Sequence, residues 1–264
     1  MRSVYRWIFE NTVLCRTVLF LGLGAFTFYA CTFPYVDFLT IYILDLVLWF
    51  LVGRFIATAP FKLMREPQRI LNEDCDPQPM LEEIQRQLAR DFDGPHRQLL
   101  EIDHAGCLRE MGEYHKAAEI LENINIDKFP GNTPFNKYSY YHNLSDIHYL
   151  LGNLEEARIW ARKFRQIYHD LPMVKAKHAL ASTNDLMEAE ILYYEGSYEQ
   201  ALRKVSWIKL ENKRMVLSGA MLAAKCHIAL DEPEKAREKL QYVIDNGNKL
   251  CIVREAAELL DTLN

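Results

Sequence analysis

The chain of 264 residues has no CxxC pair, no glycine-rich phosphate loop, no HExxH and no G-x-S-x-G turn. These absences remove the readable signatures of zinc clusters, nucleotide binding, metalloproteases and α/β-hydrolases. The six cysteines (Cys15, Cys31, Cys75, Cys107, Cys226 and Cys251) are scattered, two of them in apolar sequence, which suits free thiols in a reducing compartment. A basic surplus is missing too. Residues 77–264 carry 24 Lys/Arg against 29 Asp/Glu, which is the chain's whole net charge of −5. Nucleic acid requires a basic face that releases phosphate counterions, so no nucleic-acid partner is expected. His104 and Cys107 stand three apart on one helix without a third ligand at readable spacing, and His142 and His148, six apart, face different ways. No metal, cofactor or catalytic set is expected, and the chain reads as a non-enzyme.

Long hydrophobic runs, by contrast, are present at the N-terminus. Residues 17–36 are twenty in a row without a charge, the length that spans a bilayer core. The run is too long for the apolar region of a cleaved secretory signal, and no A-x-A site follows it. A second run, 38–53, contains Asp45. Its eleven Leu, Ile, Val and Phe residues contribute roughly −3 to −7 kcal/mol to insertion, against roughly 2.5–3.5 for a central Asp. Snorkelling of Arg54 lets this helix extend to about Ala57. Arg2, Arg6 and Arg16 precede the first run and Arg54, Lys62, Arg65 and Arg69 follow the second, while the turn has only Pro34 and Asp37. Positive residues favour the cytoplasmic side. A two-helix hairpin (12–33 and 38–57, anchor 1–57) with both ends in the cytoplasm is therefore expected.

An ionisable group inside a membrane segment is a functional-site hypothesis by default. Arg16 lies roughly 16 Å from Asp45 in depth at about 1.5 Å per residue, so Thr27, level with it, is the expected hydrogen-bond partner. With no second intramembrane acid, His or Lys to relay a proton, the reading is assembly, including a possible homo-oligomer through the hairpin. In residues 58–76, Pro60 and Pro67 are expected to break regular helix, and Lys62, Arg65 and Arg69 to meet anionic headgroups. Asp76 and Pro77 read as a helix start, and residues 58–94 as linker plus leading helix.

The rest of the chain repeats itself. Gly112-x-Tyr114-x-x-Ala117, Gly152-x-Leu154-x-x-Ala157 and Gly196-x-Tyr198-x-x-Ala201 are followed by Asp231, Pro233 and Ala236 in the same slots. Seven residues before each Gly or Asp stands a small residue: Ala105, Ser145, Ala189 or Ala224. Leu121, Ala161, Val205 or Leu240 follows the alanine by four, and Ile124, Phe164, Ile208 or Val243 comes three later. Glycine permits the left-handed residue that ends a helix, and small residues let antiparallel helices approach closely. One such pair cannot bury its apolar face alone, so neighbours must stack.

These residues resemble the tetratricopeptide repeat family over about 97–248, with intervals of 40, 44 and 35 residues where the family period is 34. A Pro/Gly loop over 126–137 and lengthened helices around 169–183 account for the excess, and Pro130 and Pro172 best match the inter-repeat proline. The resemblance implies an all-α solenoid of four repeats (95–248), with 249–264 as its capping helix. It also implies a concave groove carried by Leu99, Ile102, Arg109 and Glu110, then His142, Asp146, Tyr149 and Leu150. Leu186, Glu190, Tyr193, Tyr194, Met221, Lys225 and Ile228 continue it. Tyr149, Tyr193 and Tyr194 could equally pack between helices, since tyrosine does both. Slots that hold a carboxylate clamp in some members contain Ile102, Gly106, Asn143, Thr183 and Met187 here. Only Asn143 fits, so no clamp is expected.

The function these readings imply is a membrane-anchored cytoplasmic scaffold that holds a protein or peptide partner in its groove. The alternatives are a structural subunit docked through the hairpin, or a peptide sensor.

Overall fold

The computed structural model describes residues 2–32, 37–90, 94–128, 133–171 and 174–263. Among them all regular structure is helical, and the chain divides into two compact units, residues 1–66 and 67–264. Pro34, Asp93, Pro130 and Pro172, which the sequence marks as turn or terminator positions, lie outside the described residues.

In the first unit, α1 (Arg2–Glu10) leads almost directly into α2 (Thr12–Ala30), and α3 (Phe38–Arg69) follows. Both α2 and α3 contain a segment long and apolar enough to cross a membrane. Only 11% of each apolar window is buried, which separates both from the core helices of a soluble protein. Phe20, Leu21 and Phe28 of α2 and Trp49, Phe50 and Leu51 of α3 are all exposed. The Thr27 hydroxyl meets Asp45 Oδ2, the partner that depth selects, while Asp45 Oδ1 is buried without one.

The prolines do not act as the sequence suggests. α3 runs through Pro60 and Pro67 to Arg69 and widens into a π-helical turn, Ile70–Asp74, closed by Cys75 in the left-handed region (φ 56°). Ile56, Ala59 and Leu63, on both sides of Pro60, pack with Ile8 and Phe9, and that burial holds the helix across the missing hydrogen bond. The second helix therefore does not end near Ala57.

In the second unit α4 (Gln78–Leu88) follows the π turn. Asp76 Oδ1 accepts from the Gln78 N–H at 3.1 Å, but the N-cap is Pro77, one residue later than the sequence suggests, and no side chain caps it. Four antiparallel pairs follow: α5 (Pro95–Glu110) with α6 (Tyr114–Glu122), and α7 (Pro134–Leu150) with α8 (Leu154–Asp170). Then come α9 (Val174–Tyr194) with α10 (Tyr198–Trp207), α11 (Lys213–Ala229) with α12 (Pro233–Asn246), and last α13 (Cys251–Thr262). The turns inside the pairs share one hydrogen-bond pattern. Gly112, Gly152, Gly196 and Asp231 have φ of 84°, 78°, 78° and 59°. The next residue's N–H donates five residues back in every case, at 2.8–2.9 Å, from Glu113 to Leu108 O through Glu232 to His227 O. This double-bonded left-handed helix end needs glycine or a tolerant Asp or Asn, which explains the slot.

The small residues meet at the crossings. Ala105, Ser145, Ala189 and Ala224 are fully buried, as are Ala117, Ala157, Ala201 and Ala236, and the Ser145 hydroxyl donates to Ala157 O at 3.1 Å. α5, α7, α9 and α11 pack successively on one another and form an inner wall. The ends of this array meet. Arg214 of α11 bonds both Glu110 of α5 and Asn72 of the π turn. Asn248 and Lys249, just before α13, donate to the Asp74 and Cys75 carbonyls. Cys251 Sγ lies 3.4 Å from both the Tyr114 hydroxyl and Arg109 O. Besides covering α12, α13 thus reaches back to the first pair.

Candidate functional site

Because the ends meet, the inner wall encloses a recess of about 310 Å³ rather than an open trough. Its floor is an ion-pair network. Arg109 Nη1 donates to Asp146 Oδ2 at 2.6 Å and to Asn143 Oδ1 at 3.3 Å, and its Nη2 donates to Glu110 Oε1 at 2.6 Å. Arg214 Nη1 reaches the same Glu110 oxygen at 2.8 Å, and Lys225 pairs with Glu255 at 2.6 Å. The side chains of Arg109, Asp146 and Glu110 are 15%, 14% and 10% exposed, so the attraction acts at low effective dielectric.

Burial and charge then sort the titratable groups. Burial pushes Glu110 up, but Arg109 and Arg214 together hold it below the usual carboxylate range. For Asp146 burial wins over Arg109, and its carboxyl is raised. Burial, with Asp146 alongside, pushes Glu190 up to about 8. Burial and the two arginines hold His142 down to about 3, so its imidazole is neutral.

Of the residues the sequence assigns to the groove, Arg109, His142, Asp146, Glu190, Tyr193, Tyr194 and Lys225 converge here from α5, α7, α9 and α11, along with Leu150, Leu186 and Met221. Tyr149 does not. It is 3% exposed and packs in the core between α7, α8 and α9, its ring stacked on Tyr194 at 4.5 Å and 9°. Ile102 is likewise core, fully buried against Leu121 and Leu144. Asn143, the one residue compatible with a carboxylate clamp, spends its carbonyl on Arg109.

Arg214, Tyr114, Tyr138, Cys251 and Glu255 also line the recess and are absent from the sequence assignment. Arg214 had a signal: with Ser218, Met221 and Lys225 it shares one face of α11 at helical spacing. Cys251 and Glu255 had none, since they arrive only through the return of α13. Burial raises the Cys251 thiol, so it is no ready nucleophile. Among the described residues no group of three His, Cys, Asp or Glu side chains could hold a metal ion. Asp45 belongs to the first unit. No protein-family model, curated protein or solved structure matches the chain.

Proposed function

We propose that the chain is a membrane-anchored, cytoplasm-facing scaffold of tetratricopeptide type that holds a segment of a protein partner in the recess of its repeat region. The observation that carries this reading is convergence. Side chains from four successive inner helices, up to 116 residues apart (Arg109 to Lys225), meet in one recess that mixes aromatic, apolar and charged groups, the composition of a recognition site. The ionisable groups are committed mainly to one another, which supports a binding site held in one shape. Tethering concentrates the partner at the bilayer.

Crosslinking in intact cells tests it. A photoreactive residue at Ser139 or Tyr193, in the recess, should capture one common partner that the same group at Trp207, 87% exposed and outside it, does not. Equal capture from Trp207, or none from the recess, removes the reading.

One observation favours a second reading. Asp45 Oδ1 is buried without a partner, as expected of a hairpin that docks to a second copy or a larger membrane complex. If Asp45→Ala abolishes co-purification of partners while Tyr193→Ala with Tyr194→Ala leaves it intact, the hairpin reading replaces the scaffold.

A further inference from the structure

Carboxyl groups outnumber cations in the recess. Arg109, Arg214 and Lys225 face Glu110, Asp146, Glu190 and Glu255, three cations against four carboxyls. The cations are all engaged: Arg109 with Asp146 and Glu110, Arg214 with Glu110 and Asn72, Lys225 with Glu255. Glu190 is the one of the four carboxyls that makes no hydrogen bond or ion pair among the described residues. Three and four residues further along α9, on the same side of the helix, stand Tyr193 and Tyr194, edge to face at 5.2 Å, the latter held by Tyr149 behind it. A free carboxyl next to electron-rich rings is a receptor for an organic cation. An anion would find every positive group already spent.

We infer that Glu190, with Tyr193 and Tyr194, receives an alkylammonium group: the side chain of a lysine in the docked segment, or a free primary amine. The lysine source rests on the peptide-binding reading above. The recess, about 310 Å³, has room for a lysine side chain.

The carboxyl must be ionised to hold the ammonium. The groups around it are Asp146 and His142 of α7, Arg109 and Glu110 of α5, Tyr114 of α6, Arg214 and Lys225 of α11, and Glu255 of α13. Burial and Asp146 raise Glu190 to about 8, against the smaller opposite pull of Arg109 and Lys225. Entry of the cation therefore expels one proton from the carboxyl. Below pH 8 affinity climbs toward tenfold per pH unit and levels above it, a rise of roughly 50-fold from pH 6 to 8. His142 stays neutral throughout that range.

The full chain in lipid nanodiscs is tested on arrays of random octapeptides whose central residue is fixed as lysine, norleucine or glutamate, and separately by calorimetry with n-butylammonium chloride in buffers of different ionisation enthalpy. The expected result is a preference for lysine over norleucine of about tenfold or more. That preference should grow from pH 6 to 8, and Glu190→Gln, with unfolding temperature checked, should lose both preference and slope. Peptide binding without lysine preference, or a Glu190→Gln chain that keeps it, overturns the inference and leaves the recess as a peptide site. Binding of n-butylammonium with release of one proton, but of no peptide, upholds the ammonium site with a free amine as its source and removes the peptide reading. Binding of neither removes both.

Discussion

Replacing Arg109 by methionine is the sharpest probe of the recess. The guanidinium bonds two carboxylates at 2.6 Å, and at an effective dielectric near 20 each charge pair about 4 Å apart is worth roughly 4 kcal/mol of attraction, most of it cancelled by desolvation. The net stabilisation of the intact network is therefore small, but its failure is costly. Without Arg109, Glu110 keeps Arg214, while Asp146 loses the only cation bonded to it among the described residues. Removing one partner of a buried pair costs about 3–5 kcal/mol. The residual exposure of Asp146, 14%, and its ability to take up a proton bring the expectation to about 2–4 kcal/mol. At about 2–4 °C per kcal/mol for a unit of this size, the thermal midpoint of the full chain should fall by roughly 5–15 °C.

The second half of the cycle identifies the cause. Asp146→Asn keeps an oxygen acceptor for Arg109 and should cost about 1 kcal/mol. The double variant removes the stranded charge and should be less destabilised than the sum of the singles by about 1–2 kcal/mol. The penalty of Arg109→Met should also be larger at the higher of two pH values, because the stranded, raised carboxyl of Asp146 is increasingly ionised as pH rises. Thermal unfolding followed by circular dichroism at both pH values measures all three quantities. A single-variant cost under about 1 kcal/mol, or additivity within error, would show that the network contributes nothing to holding the recess shut.

The glycine turns give a second test: an alanine Cβ at Gly112 would meet Cys251 Cβ at 3.1 Å and Arg254 Nη2 at 3.3 Å, whereas at Gly152 and Gly196 it meets open space. All three substitutions cost about 1–2 kcal/mol for the left-handed backbone, so a larger loss at Gly112 alone, read from unfolding temperature, reports the return of α13. Glu190 makes stability depend on pH, since its folded-state pKa of about 8 exceeds the ordinary 4.5. The folded chain holds that proton more tightly, so the group's contribution is full below about pH 4.5 and lost as pH rises to 8, a slope that Glu190→Gln should remove from urea titrations. Topology is open to thiol labelling: Cys31, exposed at the end of α2, should react with an impermeant maleimide added to intact cells. Cys107 and Cys226, buried and with raised pKa values, should stay unlabelled until the chain is unfolded, and protection of Cys31 alongside labelling of Cys251 would invert the orientation.

What the sequence made legible was local, and what it hid was cumulative. Gly112, Gly152, Gly196 and Asp231 could be assigned because a left-handed helix end depends on the residue that occupies it, and Ala105 or Ser145 because a close crossing admits only a small side chain. Thr27 opposite Asp45 followed from rise per residue alone. Pro60 misled because its local penalty is opposed by packing of Ile56, Ala59 and Leu63 against Ile8 and Phe9, and no window around the proline contains those two partners. Tyr149 misled more narrowly: it lies one position, about 100° of helix rotation, from Leu150, and that step turns it from the recess into the core.

Closure of the array is the feature least accessible to pattern reading. It depends on bonds between Glu110 and Arg214, 104 residues apart, and between Cys251 and Arg109, 142 apart. The helix lengths that bring those residues together sum over the whole repeat region, including the 21-residue α9. Yet closure decides what the site can admit. Open repeats present a long trough whose selectivity is spread over many weak contacts. A shut ring concentrates selectivity on the few groups left inside, and here the network has matched all of its positive charges and left one carboxyl over. If the ring opens in solution, Gly112→Ala should do no more harm than Gly152→Ala, and the selectivity attributed to Glu190 should disperse along the wall.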